Sequence, residues 1–240
     1  MKKQLWCCAL AALCMMRVGA REAAAEEWPR LADGRTVIEI RGEKFAMPAD
    51  AASLLGITFS LRQDGKPGAL TLKEVLAKPD VARAAFSRAS SVRIDIPNIA
   101  DRKDRWLGEF DREAVKLNAV SIETGEGVAE DCVAGAKSLN GFRAKAASGD
   151  SRPGEDGWTE FISERAPRDY TYVKAPRANT MPDHFDSIRC NYHEACVATA
   201  CVRPNVTFTY RFNRKYHPRV EWNEVVARAG EVMRYLVPNP

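Results

Sequence analysis

The chain lacks an apolar run that could span a bilayer. The longest candidate, Leu5 to Met16, is twelve residues and stops at Arg17, where a spanning helix needs about 20. It has three histidines (His184, His193 and His217) and no C-x-x-C, G-x-S-x-G, S-x-x-K or H-E-x-x-H pattern. It also has no Gly-rich phosphate loop and no Asp-rich calcium loop. These absences remove a thioredoxin-type redox centre, the common serine nucleophile settings, a zincin site and a phosphate cradle from the readings open to it. No basic stripe with interleaved aromatics occurs, so nucleic acid is not an expected partner.

What is present begins with MKKQLWCCALAALCMMRVGAREAAAEEW. Lys2 and Lys3, the apolar run and the small residues Val18-Gly19-Ala20 and Ala23-Ala24-Ala25 have the layout of a secretory signal peptide, residues 1–25, cleaved near Ala20 or Ala25. Cys14 as a lipidated residue is a weaker reading, because Leu13 stands where that processing site takes a small residue. The mature chain is then expected to be periplasmic or secreted, with no membrane span. Cleavage after Ala25 removes Lys2, Lys3, Arg17 and Arg21 against Glu22, a net +3, and takes the chain from +4 to +1. The basic balance belongs largely to the leader. Cleavage also removes Cys7, Cys8 and Cys14, which leaves Cys132, Cys190, Cys196 and Cys201. An even count in an oxidising compartment predicts two disulfides.

Along the chain, Val37, Ile38 and Ile40, a turn at Gly42, then Phe45 and Met47 predict a β-hairpin ended by Pro48. Residues 71–90 read as helix, interrupted near Lys78-Pro79-Asp80. Val92, Ile94 and Ile96 alternate with Arg93 and Asp95 as in a half-buried strand. Trp106, Phe110, Ala114 and Leu117 recur at helical spacing over 102–117. Residues 123–157 are rich in Gly, Ala, Ser and Asp and read as a linker or long loop containing Cys132. Two short strands are expected in 158–176 and another in SIRCN. NVTFTYRF is a clear strand, with Val206, Phe208, Tyr210 and Phe212 on one face. Trp222, Val226, Ala229, Met233 and Leu236 form one helical stripe.

Aligning Val92 with Phe208 places Ile94 on Tyr210, Ile96 on Phe212 and Trp106 on Trp222. The expected fold is therefore α+β: two related units of antiparallel strands plus an amphipathic helix, 28–122 and 158–240, joined by 123–157 and stapled by disulfides. A duplication of this kind requires the same strand order in both halves.

The segment RCNYHEACVATAC, C-x2-H-x2-C-x4-C, carries the chemistry question. Thiolates and imidazole bind zinc. However, the spacing fits no common zinc pattern, the compartment oxidises thiols, and a zinc site would leave Cys132 alone. No metal or other cofactor is therefore expected. Three disulfide connectivities are open. The favoured one is Cys190–Cys201, closing a ten-residue loop between neighbouring strands, with Cys196–Cys132 pinning the linker. The main rival is Cys196–Cys201 with Cys132–Cys190. His193 and Glu194 are acid–base candidates for an unrecognised hydrolase site, although a lone loop histidine is usually solvated. The loop's Tyr192, His193 and Glu194, together with Tyr216 in the connection 213–219, are candidates for contact with a partner, since tyrosine beside polar groups suits an interface.

The residues Cys190, Cys201, Phe208, Tyr210 and Trp222 to Leu236 set out a strand with Cys, a Cys-bearing loop, an alternating aromatic strand and a Trp-led helix. This arrangement resembles small exported proteins of Gram-negative bacteria, some of which look like immunity proteins that neutralise type VI secretion effectors. The resemblance covers about a quarter of the chain. It implies a periplasmic α+β protein that binds a secreted effector and blocks its active site, and it offers no catalytic residues.

Overall fold

The computed structural model describes residues 27–48, 56–97, 119–148, 151–154, 157–162, 169–174 and 187–238. The expected signal peptide, the helix over 102–117 with Trp106, and His184 lie outside them.

The first element is the expected hairpin, β1 (Thr36–Ile40) and β2 (Glu43–Met47), which forms a sheet of its own. Its turn residues Arg41 and Gly42 both have positive φ, 53° and 82°. That is the twist a two-residue connection needs, and Gly42 adopts it at no steric cost. The hairpin is held to the body. Arg203 Nη1 donates to Glu43 Oε2 at 2.6 Å, and Phe45, Ala46 and Met47 are fully buried.

The body is one antiparallel sheet. Its strands are β3 (Thr58–Gln63), β4 (Lys66–Thr71), β5 (Ser91–Pro97), β6 (Ala119–Gly125), β7 (Arg152–Pro153), β8 (Trp158–Ile162), β9 (Tyr170–Lys174), β10 (Ser187–Cys190), β11 (Ala195–Arg203) and β12 (Val206–Asn213). Their order is β4-β3-β5-β6-β12-β11-β10-β9-β8-β7. The register aligns one apolar row across the sheet: Phe59, Ile94, Ile122, Phe208 and Ala200. A neighbouring row holds Ile96, Val120, Tyr210 and Ala198. Because side chains alternate along each strand, these rows share a face.

Three helices cover that face: α1 (Leu72–Ala77), α2 (Pro79–Arg88) and α4 (Trp222–Leu236). The first begins at Thr71 in a capping box, with the Glu74 amide donating to Thr71 Oγ1 and the Thr71 amide to Glu74 Oε2. It stops where Pro79, which opens the next helix, cannot continue it. The last helix buries the stripe predicted for it: Trp222, Val226, Ala229, Met233 and Leu236.

The chain is thus α+β, with antiparallel strands, amphipathic helices and two disulfides. Three expectations differ in detail. The stretch 123–157, expected as linker or long loop, carries the end of β6, a 20-residue helix α3 (Val128–Ala147) and β7. Its Ala, Gly and Ser content does not mark a linker, because alanine is the best helix former and this helix has little to bury. Only Val128 among its residues is buried. The halves also do not repeat their strand order. In the first, the β3–β4 hairpin is followed by two helices and then β5, which returns beside β3. The second is an unbroken meander from β7 to β12, once β6 is set aside. Both β5 and β12 pair with β6, so the two segments merge into one sheet.

The third difference concerns the sulfurs. The bridges are Cys132–Cys201 and Cys190–Cys196, which is neither of the pairings expected from the sequence. The favoured pairing assumed a loop from Cys190 to Cys201. Instead the chain reverses over Asn191–Glu194, and β11 already begins at Ala195. This makes Cys190 and Cys196 direct cross-strand partners, with Cα atoms 4.0 Å apart. Cys196 and Cys201, five residues apart on one strand, point to opposite faces. Cys196 joins Ala198, Ala200 and Val202 in the core. Cys201 turns to the other face, where it meets Cys132 of α3. Phe142 of α3 packs on Phe161 of β8 with ring centroids 4.9 Å apart. The helix therefore lies across the polar face of the sheet, which also carries a Thr199–Thr209 hydroxyl contact of 2.9 Å.

Candidate binding surface at one end of the sheet

The two loops picked out in the sequence are neighbours. Residues 191–194 link β10 to β11, and residues 214–218 leave β12 beside them, since the Arg214 amide donates to the Glu194 carbonyl at 2.9 Å. Each loop opens with an asparagine whose side chain shapes it. The amides of His193 and Ala195 donate to Asn191 Oδ1 at 3.0 and 3.1 Å. The Lys215 amide donates to Asn213 Oδ1 at 2.8 Å. Asparagine favours such turns because its short side chain stands in for a backbone carbonyl. Glu194 closes the first turn with φ 65°.

Below the loops the scaffold is rigid. The Cys190–Cys196 bridge clamps the base of the first turn. The second loop is anchored by His217, which is buried and whose carbonyl accepts from Trp222 Nε1 at 3.0 Å. Trp222 in turn meets Tyr172, Phe212 and Trp158 edge-on, with centroids 4.7, 5.6 and 6.0 Å apart. Edge-to-face geometry is the favourable one for such rings.

Above this base, apolar side chains stand in solvent. Tyr192 is 55% exposed and Tyr216 is 59% exposed, and Val220 just beyond is 79% exposed. Tyr192 and His193 lie against each other ring on ring. Ile162, also exposed, pairs with Tyr170 at the same sheet end.

Two arginines occupy the side of the surface toward β8 and β9. Arg214 Nη1 donates to Tyr172 Oη at 3.3 Å, and its guanidinium sits 5.2 Å from the Tyr170 ring centroid. Arg219 Nη2 donates to the Trp158 carbonyl at 2.6 Å, Nη1 lies 3.4 Å from Glu160 Oε2, and the guanidinium faces the Tyr172 ring. Burial, reinforced by the nearby Glu160 charge and opposed by Arg214, holds the Tyr172 phenol above its ordinary pKa. It therefore stays neutral and serves Arg214 as an acceptor.

Sequence reasoning names Tyr192, His193, Glu194 and Tyr216 as candidates for partner contact, and the structure brings all four to one end. It missed Arg214, Arg219, Tyr170 and Tyr172. The alternating YTY of β9 and the basic run NRKYHPR were both visible, but only the strand order places them together. His193 and Glu194 share no hydrogen bond or ion pair among the described residues, which leaves the acid–base reading without its pair. The histidine that does face a carboxylate is His217, with Nδ1 3.4 Å from Glu221 Oε2, and its ring is buried away from any substrate. All four cysteines of the described residues are in bridges, so no thiolate is left for zinc. No group of three or more His, Cys, Asp or Glu side chains suited to a metal occurs among the described residues. None of their helices is long and apolar enough to cross a membrane.

No family model, no curated protein and no solved structure matches the chain.

Proposed function

We propose that the chain is exported behind a signal peptide at residues 1–25 and acts in the periplasm as a protein-binding, inhibitory protein, an immunity protein that blocks a secreted toxin. The observation that carries this reading is the sheet end. There two asparagine-shaped loops lie side by side on a disulfide-clamped base and present Tyr192, His193 and Tyr216 to solvent. Rigid aromatic side chains on a pre-organised scaffold are what a tight interface uses, because little conformational freedom is lost on docking. Two bridges between cysteines downstream of the leader support an oxidising compartment. The reading is independent of any catalytic group, and none of the candidate acid–base residues forms a pair at this surface.

The test is affinity capture from the secreted proteins of the same organism. The mature chain is compared with its Tyr192→Ala/Tyr216→Ala variant, and bound proteins are identified by mass spectrometry. The expected result is one secreted protein retained by the wild type and lost by the variant. Recovery of general chaperones alone, or equal retention by both, counts against the reading.

A further inference from the structure

We propose that Arg214 is the anchor of this surface and that it takes a carboxylate from an acidic patch of the partner protein; the proposal rests on the protein-binding reading above. Among the described residues, five other half-buried arginines are matched with acids. Arg35 has Asp33, Arg83 has Asp80, Arg203 has Glu43, Arg219 has Glu160 and Arg228 has Glu231. Arg214 is likewise half-buried and has no carboxylate partner among the described residues. Its partners are a phenol oxygen and an aromatic face. Both fix the plane of the guanidinium, and neither neutralises it.

A guanidinium held in this way keeps most of its five donors for an incoming group. Its planar fork matches a carboxylate bidentately, and the loss of side-chain entropy has already been met by the stacking. The surrounding charge favours the same ligand. The residue after Arg214, Lys215, is exposed and has no ion pair among the described residues, so this loop presents two positive charges against the single carboxylate of Glu194 in the adjoining turn, while Arg189 and Arg211 point to the opposite, α3 face. Tyr216 lies in the same loop and Tyr192 in the turn hydrogen-bonded to it, and both rings are exposed; once docked they would help to exclude water from the pair, the setting in which a charged hydrogen bond contributes most. A lipid or nucleic-acid phosphate could also satisfy one guanidinium. The exposed tyrosines and the Ile162–Tyr170 pair beside it suit a protein surface better than a flat sheet of headgroups.

The experiment selects random dodecapeptides displayed on phage against the immobilised mature chain with its bridges intact. It then measures the enriched peptides in solution by fluorescence anisotropy. Expected are Asp- or Glu-containing sequences whose affinity falls with added salt. Arg214→Ala should weaken them at least tenfold. Arg214→Lys should weaken them nearly as much, because an ammonium neither stacks nor forks. Lys66→Ala, on the edge strand β4, should have no effect. Thermal unfolding and circular dichroism of each variant establish that it is folded. A selection that enriches nothing, enriches sequences without acids, or yields peptides indifferent to Arg214→Ala overturns the proposal. So does tighter, Arg214-dependent binding to phosphatidylglycerol vesicles or to a single-stranded 20-mer DNA. Enriched neutral peptides that still require Tyr192 and Tyr216 would remove the role of Arg214 while leaving protein binding in place.

Discussion

Replacing both Cys132 and Cys201 by alanine should separate the fate of α3 from that of the sheet beneath it. The bridge joins residues 69 apart in sequence. In the chain-entropy model, closing a loop of that length restrains the unfolded state by about 4 kcal/mol, roughly twice the figure of about 2 kcal/mol for the short Cys190–Cys196 loop. Neither half-cystine of the long bridge is in the apolar core, so little packing is lost on top of the entropy. With a urea m-value of about 2 kcal/mol/M for a chain of this size, the midpoint should fall by about 2 M. The helix should respond more than the sheet, because Val128 is its one buried residue and it has little besides the bridge and Phe142 to hold it. Hydrogen exchange read by mass spectrometry should show amides of 128–147 losing protection while β6 and β12 keep theirs. The connectivity is checked on the unreduced wild type with a protease that cuts after small residues between Cys196 and Cys201. The fragment carrying Cys132 should then be linked to Cys201 and separate from Cys190 and Cys196. A midpoint shift equivalent to less than about 1 kcal/mol with α3 still protected, or a Cys190–Cys201 linked fragment, would refute the reasoning.

Other expectations follow from single side chains. Trp222→Ala empties the centre of the aromatic cluster and should cost about 3–5 kcal/mol in urea unfolding. Gly125 has φ 134°, and a Cβ there would lie 2.4 Å from the Ser90 carbonyl oxygen; Gly125→Ala should therefore cost about 3 kcal/mol or more, through backbone displacement between β5 and β6. Hydrogen bonds from the Thr71 amide and hydroxyl hold the Glu74 carboxyl below the ordinary glutamate range. The stabilisation it brings to α1 is present above the unfolded pKa and is lost as pH falls through the lowered folded value. Thr71→Ala should cost about 1 kcal/mol as a lost cap, and an NMR titration should show the Glu74 midpoint rising toward its ordinary value. Tyr192→Ala and Tyr216→Ala should leave thermal stability within about 0.5 kcal/mol of the parent, since both rings stand in solvent.

The parts of the fold that the sequence exposes are those where one face is apolar and the other is not. β5, β12 and α4 alternate or recur cleanly, β1–β2 is two apolar runs about the Gly42 turn, and each forms where its pattern places it. Strand β11 hides because ACVATACVR has small or apolar residues on both faces: Cys196, Ala198, Ala200 and Val202 toward the core, Val197 and Cys201 toward α3. Without the strand there was no face argument to pair the cysteines, and so the odd spacing of Cys196 and Cys201 went unread. β4 hides for the opposite reason, since KPGALT is exposed along nearly its whole length. At the sheet end, the tyrosines and asparagines of two loops are legible in the sequence as candidates for contact. That the loops touch, and that Arg214 reaches Tyr170 and Tyr172 from the far side of β10 and β11, follows from strand order alone.

We propose that the 191–194 turn and the 213–219 connection together form the partner surface. Hydrogen exchange of the mature chain, with and without the secreted protein it captures, measures this directly. Protection should appear in peptides covering 190–196 and 213–220, and be absent from β4 and from the solvent side of α3. Protection confined to β4 or α3, with both loops exchanging as in the free chain, would contradict it.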